Sequence, residues 1–231
     1  MKSWVDYWNS DHTIYVSERH KQVHAAAVAQ DILRQIHTSG AVVLDHGCGE
    51  ALYAETVATG CARLLLCEAA PAVREKLAAR VAGIPAIEVI DPDAVAAFEN
   101  ASLDLVIANS LVQYLSTPEL IGLLDVWRRK LKPRGGLVIA DVVPPDVSPI
   151  TDATALLRFG WQGGFLVAAL GGLARTAVSD YRNLRAALGF ATYSEADFLA
   201  LLRTNRFEGR RIYPNFGHNQ ARMAFRATPA P

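Results

Sequence analysis

Val42-Val43-Leu44-Asp45-His46-Gly47-Cys48-Gly49-Glu50-Ala51-Leu52 decides how this chain folds. A short continuous apolar run ending in an acid reads as a strand buried on both faces. Glycines at 47 and 49 permit a tight turn and let a ligand approach backbone amides that a Cβ would cover. The helical pattern that follows would aim its first amides at a negative group. Strand, glycine turn and helix in that order bind nucleotide-like ligands above the carboxyl end of a parallel strand. Glycine pairs also occur in turns that bind nothing, so the pair alone leaves function open.

Outward from this stretch the chain alternates short Val, Ile and Leu runs with helical patterns, which predicts an α/β fold. Strands are expected at 42–45, 63–68, 86–90, 103–108 and 136–142, and helices at 51–59, 70–81 and 118–131. Gly60, Gly83 and Lys132-Pro133-Arg134-Gly135-Gly136 supply stop signals. Ser17 is placed to cap a helix over 18–36. The rhythm breaks at Pro144-Pro145 and Pro149, and the glycine-rich, apolar segment 152–177 reads as an insertion rather than sheet. A helix from Ser194 to about 204 precedes two strands, 207–213 and 221–227, expected as an antiparallel pair closing the sheet. One domain over 1–231 follows: a helical cap at 1–40, a core at 41–143, a helical lid at 150–190 and a closing unit at 194–228.

Composition removes several classes. The 231 residues are 51% hydrophobic and 20% charged, enough apolar material for a full core. Lys plus Arg and Asp plus Glu are 23 each, a formal net charge of +0, which argues against gripping nucleic acid or an anionic membrane through a basic face. The apolar run 163–174 is broken by glycines and falls short of the ~20 residues of a membrane span. No charged-then-apolar leader is read at the N-terminus. Three cysteines without CxxC spacing point to neither a disulfide framework nor a zinc cage. A reducing, cytoplasmic setting is the expectation, as monomer or homodimer.

Glu68 sharpens the ligand. It ends the second strand 23 residues after Asp45, near the ~20-residue offset at which an acid reaches ribose hydroxyls, and a carboxylate can accept from both hydroxyls of a diol. In a dinucleotide fingerprint the third small residue would fall at Leu52, which would hinder close helix packing and pyrophosphate approach. The segment 45–51 instead resembles the D-x-G-x-G-x-G signature of class I S-adenosylmethionine-dependent methyltransferases, with Ala51 where that family usually has glycine. The resemblance covers roughly 42–142. Ala101-Ser102-Leu103-Asp104-Leu105-Val106-Ile107-Ala108-Asn109-Ser110 is similar to the family's fourth-strand motif, Leu131-Lys132-Pro133-Arg134-Gly135-Gly136 to its entry into strand five, and the closing pair to its reversed last strand.

The resemblance implies a Rossmann-like, doubly wound, seven-stranded and mainly parallel sheet with an antiparallel last strand, an N-terminal helix and an apolar helical insertion. It implies S-adenosylmethionine as cofactor and S-adenosylhomocysteine as product. Asp45, Gly47, Cys48 and Gly49 would surround the methionine part, Glu68 with Ala69 would hold the ribose, Asp91 would meet adenine, and Asn109 and Ser110 would lie beside the sulfonium.

Methyl transfer needs a nucleophile in line with the methyl group, so positioning and desolvation can supply much of the catalysis. A base is needed only if the acceptor keeps its proton. His20, His24 and His218 are the candidate bases, with Tyr15, Tyr114 and Asn219 as substrate contacts and Gln220 as a further orienting group. His20 and His24 share a helix face, yet Lys21-Gln22-Val23 between them lacks the glutamate of H-E-x-x-H and no third ligand is evident, so no metal is expected. Ordinary helix-surface packing competes with each assignment. Cys48 reads as a packing or cofactor-side residue rather than a nucleophile, because no base is placed beside it.

Trp4, Tyr7, Trp8, Tyr15 and 159–174 read as apolar walls over the cleft or as core and dimer contacts. If they line it, the acceptor is a small, largely apolar molecule. Two other readings stay open: a catalytically silent nucleoside-binding or interaction protein, and an NAD(P)-dependent oxidoreductase.

Overall fold

The computed structural model describes residues 3–10, 15–176 and 189–231. Seven strands form one sheet, β1 (Val42–His46), β2 (Arg63–Cys67), β3 (Ile87–Ile90), β4 (Leu103–Asn109), β5 (Leu131–Val142), β6 (Phe207–Ile212) and β7 (Met223–Pro229). Their order is β3-β2-β1-β4-β5-β7-β6. All neighbours pair in parallel except that β7 runs antiparallel to both β5 and β6. The sheet is therefore Rossmann-like, with a single reversed strand. Sequence order reverses direction between β1 and β4, and crevices for ligands open at such a switch point.

Alternation along the strands builds two cores. Val43, Leu64, Leu66, Leu105 and Ile107 face one side, where α2 (Glu18–Gln35), α3 (Ala54–Ala58) and α4 (Pro71–Val81) pack. Leu44, Leu65, Val106 and Ile139 face the other against α6 (Thr117–Lys130) and α9 (Glu195–Thr204). Side chains two apart share a face, which is why these strands read as unbroken apolar runs. Among the described residues the remaining α-helices are α1 (Trp4–Trp8), α5 (Pro92–Ala97), α7 (Pro149–Gly163) and α8 (Leu166–Thr176).

Three expectations need correction. The helix expected from 51 begins only at Ala54, because Ala51 adopts a left-handed φ of 40° and cannot continue a right-handed helix. Residues 132–136, expected as a turn, belong to β5, where Leu131 pairs with Leu103 across a register shift. A short helix, α5, follows β3 where none was expected. The insertion is helical as expected, in α7 and α8. The part of the expected lid at 177–188 lies outside the described residues.

Candidate active site

Asp45 and Glu68 end up side by side because β1 and β2 are in parallel register, Asp45 opposite Leu66 and His46 opposite Cys67. Glu68 is buried and held by two backbone amides: Gly49 N–H donates to Oε2 at 2.9 Å and Ala70 N–H to Oε1 at 2.8 Å. Each carboxylate oxygen keeps a further lone pair for a diol. Asp45 is enclosed, and among the described residues its carboxyl meets no cation and no hydrogen-bond donor. Burial first and the neighbouring Glu68 second push its pKa up to about 7. Two adjacent buried carboxyls without a counter-ion favour a cationic ligand.

The turn beside them is tied to the rest of the fold. Gly47 and Cys48 N–H groups both donate to Cys67 O. Gly47 has φ 77°, and a Cβ there would come within 2.9 Å of the Leu111 side chain; beyond Gly49, φ 59°, there is open space. Lys21 pairs with Glu50, and Tyr53 Oη donates to Gln22 Oε1 at 3.0 Å, so α2 is fastened over the turn. The Cys48 thiol is pushed well up by burial and by Asp45 and Glu68, so it stays protonated and is no nucleophile. His46, its neighbour, points into the core and accepts from Trp127 Nε1 at 3.2 Å.

Asn109 and Ser110 end β4 on the other side of the switch point. Ser110 has a left-handed φ of 53° and donates from Oγ to Asp141 Oδ2 at 2.8 Å. Asp141, at the end of the neighbouring β5, is itself left-handed with φ 61°. Its backbone N–H donates to Oδ1 of buried Asn215 at 3.0 Å. Burial raises the Asp141 pKa, opposed by Arg222 and by its hydrogen bonds. Two strained non-glycine residues facing one cleft mark a place the surrounding structure holds by force. Buried Asn109 Oδ1 has no hydrogen-bond partner among the described residues.

The three candidate histidines come together from two distant parts of the chain, with ring centroids 5.6 to 6.2 Å apart. His218 stacks on Phe159 at 4.4 Å and His20 on Phe165 at 4.9 Å. Burial lowers His20 and His218 to about 4 and His24 to about 3, neighbouring imidazoles adding to the last two. All three are neutral at pH 7. His20 Nδ1 accepts the Val16 N–H at 3.3 Å, which assigns its proton to Nε2, a buried donor without a partner among the described residues. Among the described residues no group of three or more His, Cys, Asp or Glu could hold a metal ion.

Of the substrate candidates, Tyr15 sits edge-on to His20 with its pKa pushed up to about 12, by burial and then Glu50. Tyr114 packs against Trp4, Trp8 and Phe190. Asn219 is engaged elsewhere: Nδ2 donates to Asp152 and Oδ1 accepts the Ala221 N–H. Ala69, Pro92 and Asp93 line the cleft, and Asp91 is not among its lining residues. Asp91 caps α5 by accepting from the Asp93 and Ala94 amides, and its other oxygen faces Arg74. One cleft of about 2140 Å³ joins the Asp45–Glu68 end to the Asp141 and histidine end.

A family profile described as "Methyltransferase domain" matches residues 43–135, the span from β1 to the start of β5 that carries the paired acids and glycine turn. Residues 43–135 of this chain therefore carry the pattern of a methyltransferase domain. No curated protein matches it.

Solved methyltransferases share the fold at low identity. The Haemonchus contortus phosphoethanolamine N-methyltransferase 1, in complex with phosphoethanolamine and S-adenosylhomocysteine, is 17% identical with a TM-score of 0.64, over 99% of this chain and 48% of its own. This chain thus spans about half the length of that enzyme. DhpI with S-adenosylhomocysteine is 13% identical at 0.62, over 98% of this chain and 95% of its own. Human N-acetylserotonin methyltransferase with S-adenosylmethionine is 14% identical at 0.57, over 88% and 52%.

S-adenosylmethionine is the cofactor of the family whose model matches, and this chain's own residues fit it. Glu68 offers lone pairs to a ribose diol, the uncompensated Asp45–Glu68 pair suits an amino acid's ammonium, and Gly49 leaves room. Asp141, Asp152 and Arg222, all lining the same cleft, were missed by sequence reasoning. For Asp141 the signal was available: like Asp45 and Glu68, it is an acid at the carboxyl end of an apolar strand.

Proposed function

We propose that this methyltransferase transfers a methyl group directly to a small, largely apolar molecule that presents an O–H or N–H at the Ser110–Asp141 end of the cleft. The cofactor, when bound, supplies an electrophilic methyl group on a sulfonium. What carries the reading is the single cleft running from the Asp45–Glu68 pair to the aromatic and polar walls at Tyr114, Phe190, Asp141 and His218. Its volume exceeds the ~300–1,000 Å³ of ordinary ligand pockets, so a second molecule fits beside the first.

Asp45, Glu68 and the glycine turn hold the cofactor. Trp4, Trp8 and Tyr114 shield the cleft from water. Asp141, its backbone fixed by Asn215 and one oxygen fixed by Ser110, is the group positioned to accept the acceptor's proton, and burial raises its pKa above that of an ordinary carboxylate. The histidines, held at pKa values of about 3 to 4 by burial, are neutral at pH 7, and His20 serves as a hydrogen-bond donor through Nε2. Tyr15 closes the wall beside them.

Calorimetry with S-adenosylmethionine and S-adenosylhomocysteine, with NAD and NADP as controls, is the first test. Micromolar binding of the first pair alone is expected. Incubation with methyl-labelled cofactor and a panel of small phenols, alcohols and amines should then release S-adenosylhomocysteine and label a panel member. Label found only in protein or nucleic acid would sink the small-molecule assignment. Folded protein that binds neither cofactor form would favour an interaction protein.

A further inference from the structure

We propose that Arg80 is a positioning residue for the cofactor, clamping the left-handed Ala51 turn in its binding conformation; this rests on the cofactor reading above. Arg80 lies on α4, yet its guanidinium reaches three successive carbonyls of the turn. Nη2 donates to Glu50 O at 2.6 Å and to Ala51 O at 2.7 Å, and Nη1 donates to Leu52 O at 2.9 Å. Glu55 lies 3.8 Å from Nη1 and fixes the same head group.

Three consecutive carbonyls that converge on one cation fix three consecutive peptide planes, since each peptide unit is rigid. The middle residue is the anomaly. Ala51 has φ 40°, a conformation glycine enters freely and alanine resists, and the class I signature this segment resembles usually carries glycine there. A planar fork with fixed donors holds carbonyls in a set direction better than a lone ammonium does. The guanidinium supplies from outside the turn what glycine supplies from within. Ala51 and Leu52 line the cleft beside Gly49 and Glu68, so relaxation of this turn shifts the backbone that Glu68 grips at Gly49.

Two properties distinguish a clamp from a merely stabilising ion pair: its loss should weaken cofactor binding, and glycine at 51 should restore it. S-adenosylhomocysteine affinity by calorimetry is the readout, with circular dichroism and thermal melting on each variant. Arg80→Ala should weaken binding about tenfold, the scale of lost charge-assisted hydrogen bonds. Ala51→Gly alone should change it less than about threefold, and Ala51→Gly should bring the Arg80→Ala protein back to within about threefold of wild type. Arg80→Lys should rescue poorly. Arg80→Gln, closer in shape, serves if Arg80→Ala does not fold.

Wild-type affinity in folded Arg80→Ala or Arg80→Gln protein overturns the assignment, and so does a double variant no better than Arg80→Ala. A folded wild type that does not bind S-adenosylhomocysteine instead overturns the cofactor reading and the clamp with it.

Discussion

Glu68 and Asp45 divide the work of one anionic pair in different ways. Glu68 is anchored by the Gly49 and Ala70 amides, so its role is directional. Glu68→Ala should weaken S-adenosylhomocysteine binding by about 1–3 kcal/mol, roughly 5- to 150-fold, through lost charged hydrogen bonds. Unchanged affinity in a folded variant would mean that the ribose lies elsewhere. Asp45 works through charge. With its pKa pushed up to about 7, it is largely protonated at pH 6 and ionised at pH 8, and a ligand ammonium favours the ionised form. Affinity for S-adenosylhomocysteine should therefore tighten as pH rises from 6 to about 7.5 and then level off, with protons released on binding. In Asp45→Asn that pH dependence should vanish; a wild-type affinity flat across the window would remove Asp45 from the ammonium site.

Elements show where sequence reasoning holds and where it fails. β1, β2, β4 and β5 are legible because burial on both faces leaves continuous apolar runs, and Asp45 and Glu68 at the ends of the first two are legible for the same reason; Asp141 at the end of β5 carries the same signal and was missed. α2 was readable from Ser17, whose side chain accepts the His20 N–H. The start of α3 was not readable, because the left-handed Ala51 depends on Arg80 some thirty residues away. Asp91 shows a competing local signal: Asp-Pro-Asp is also a helix start, and its carboxylate caps α5 by accepting from the Asp93 and Ala94 amides. The histidine cluster was half legible, since His20 and His24 share a helical face but His218 arrives only through tertiary structure.

Where local chemistry decides, magnitudes follow. α6 opens with a capping box in which Ser116 Oγ accepts the Glu119 N–H and Glu119 Oε2 accepts the Ser116 N–H. Ser116→Ala should cost about 1 kcal/mol, a fall in melting temperature of about 2–4 °C for a chain of this size. No fall would show that packing around Trp127 and Leu124 alone sets the helix.

Across the whole molecule, two sets of buried groups oppose each other in the same pH range. His20, His24, His46 and His218 titrate in the folded state at about 3 to 4 because burial disfavours their charged form. Unfolded, they bind protons near pH 6.5. Their contribution is thus present above pH 6.5 and lost as pH falls toward 4. Asp45 acts in the reverse sense: its folded pKa is raised, so the native state holds a proton that the unfolded chain has already released, and stability is lost as pH rises from about 4 through 7. Asp31 and Asp141 are raised as well and lean the same way as Asp45.

The four histidines outnumber Asp45, so wild-type stability should fall as pH drops from 6.5 toward 4.5, with Asp45 opposing that fall. Asp45→Asn deletes one native proton from the difference, so the slope of unfolding free energy against pH should rise by about 1.4 kcal/mol per pH unit across that window. His24→Gln should flatten it instead. Denaturant melts at half-unit intervals of pH would read both. If the two variants shift the slope in the same direction, the opposed titrations of Asp45 and His24 are not what governs acid stability, and the uncompensated carboxyl at the cofactor end would have to be neutralised by a partner within the fold.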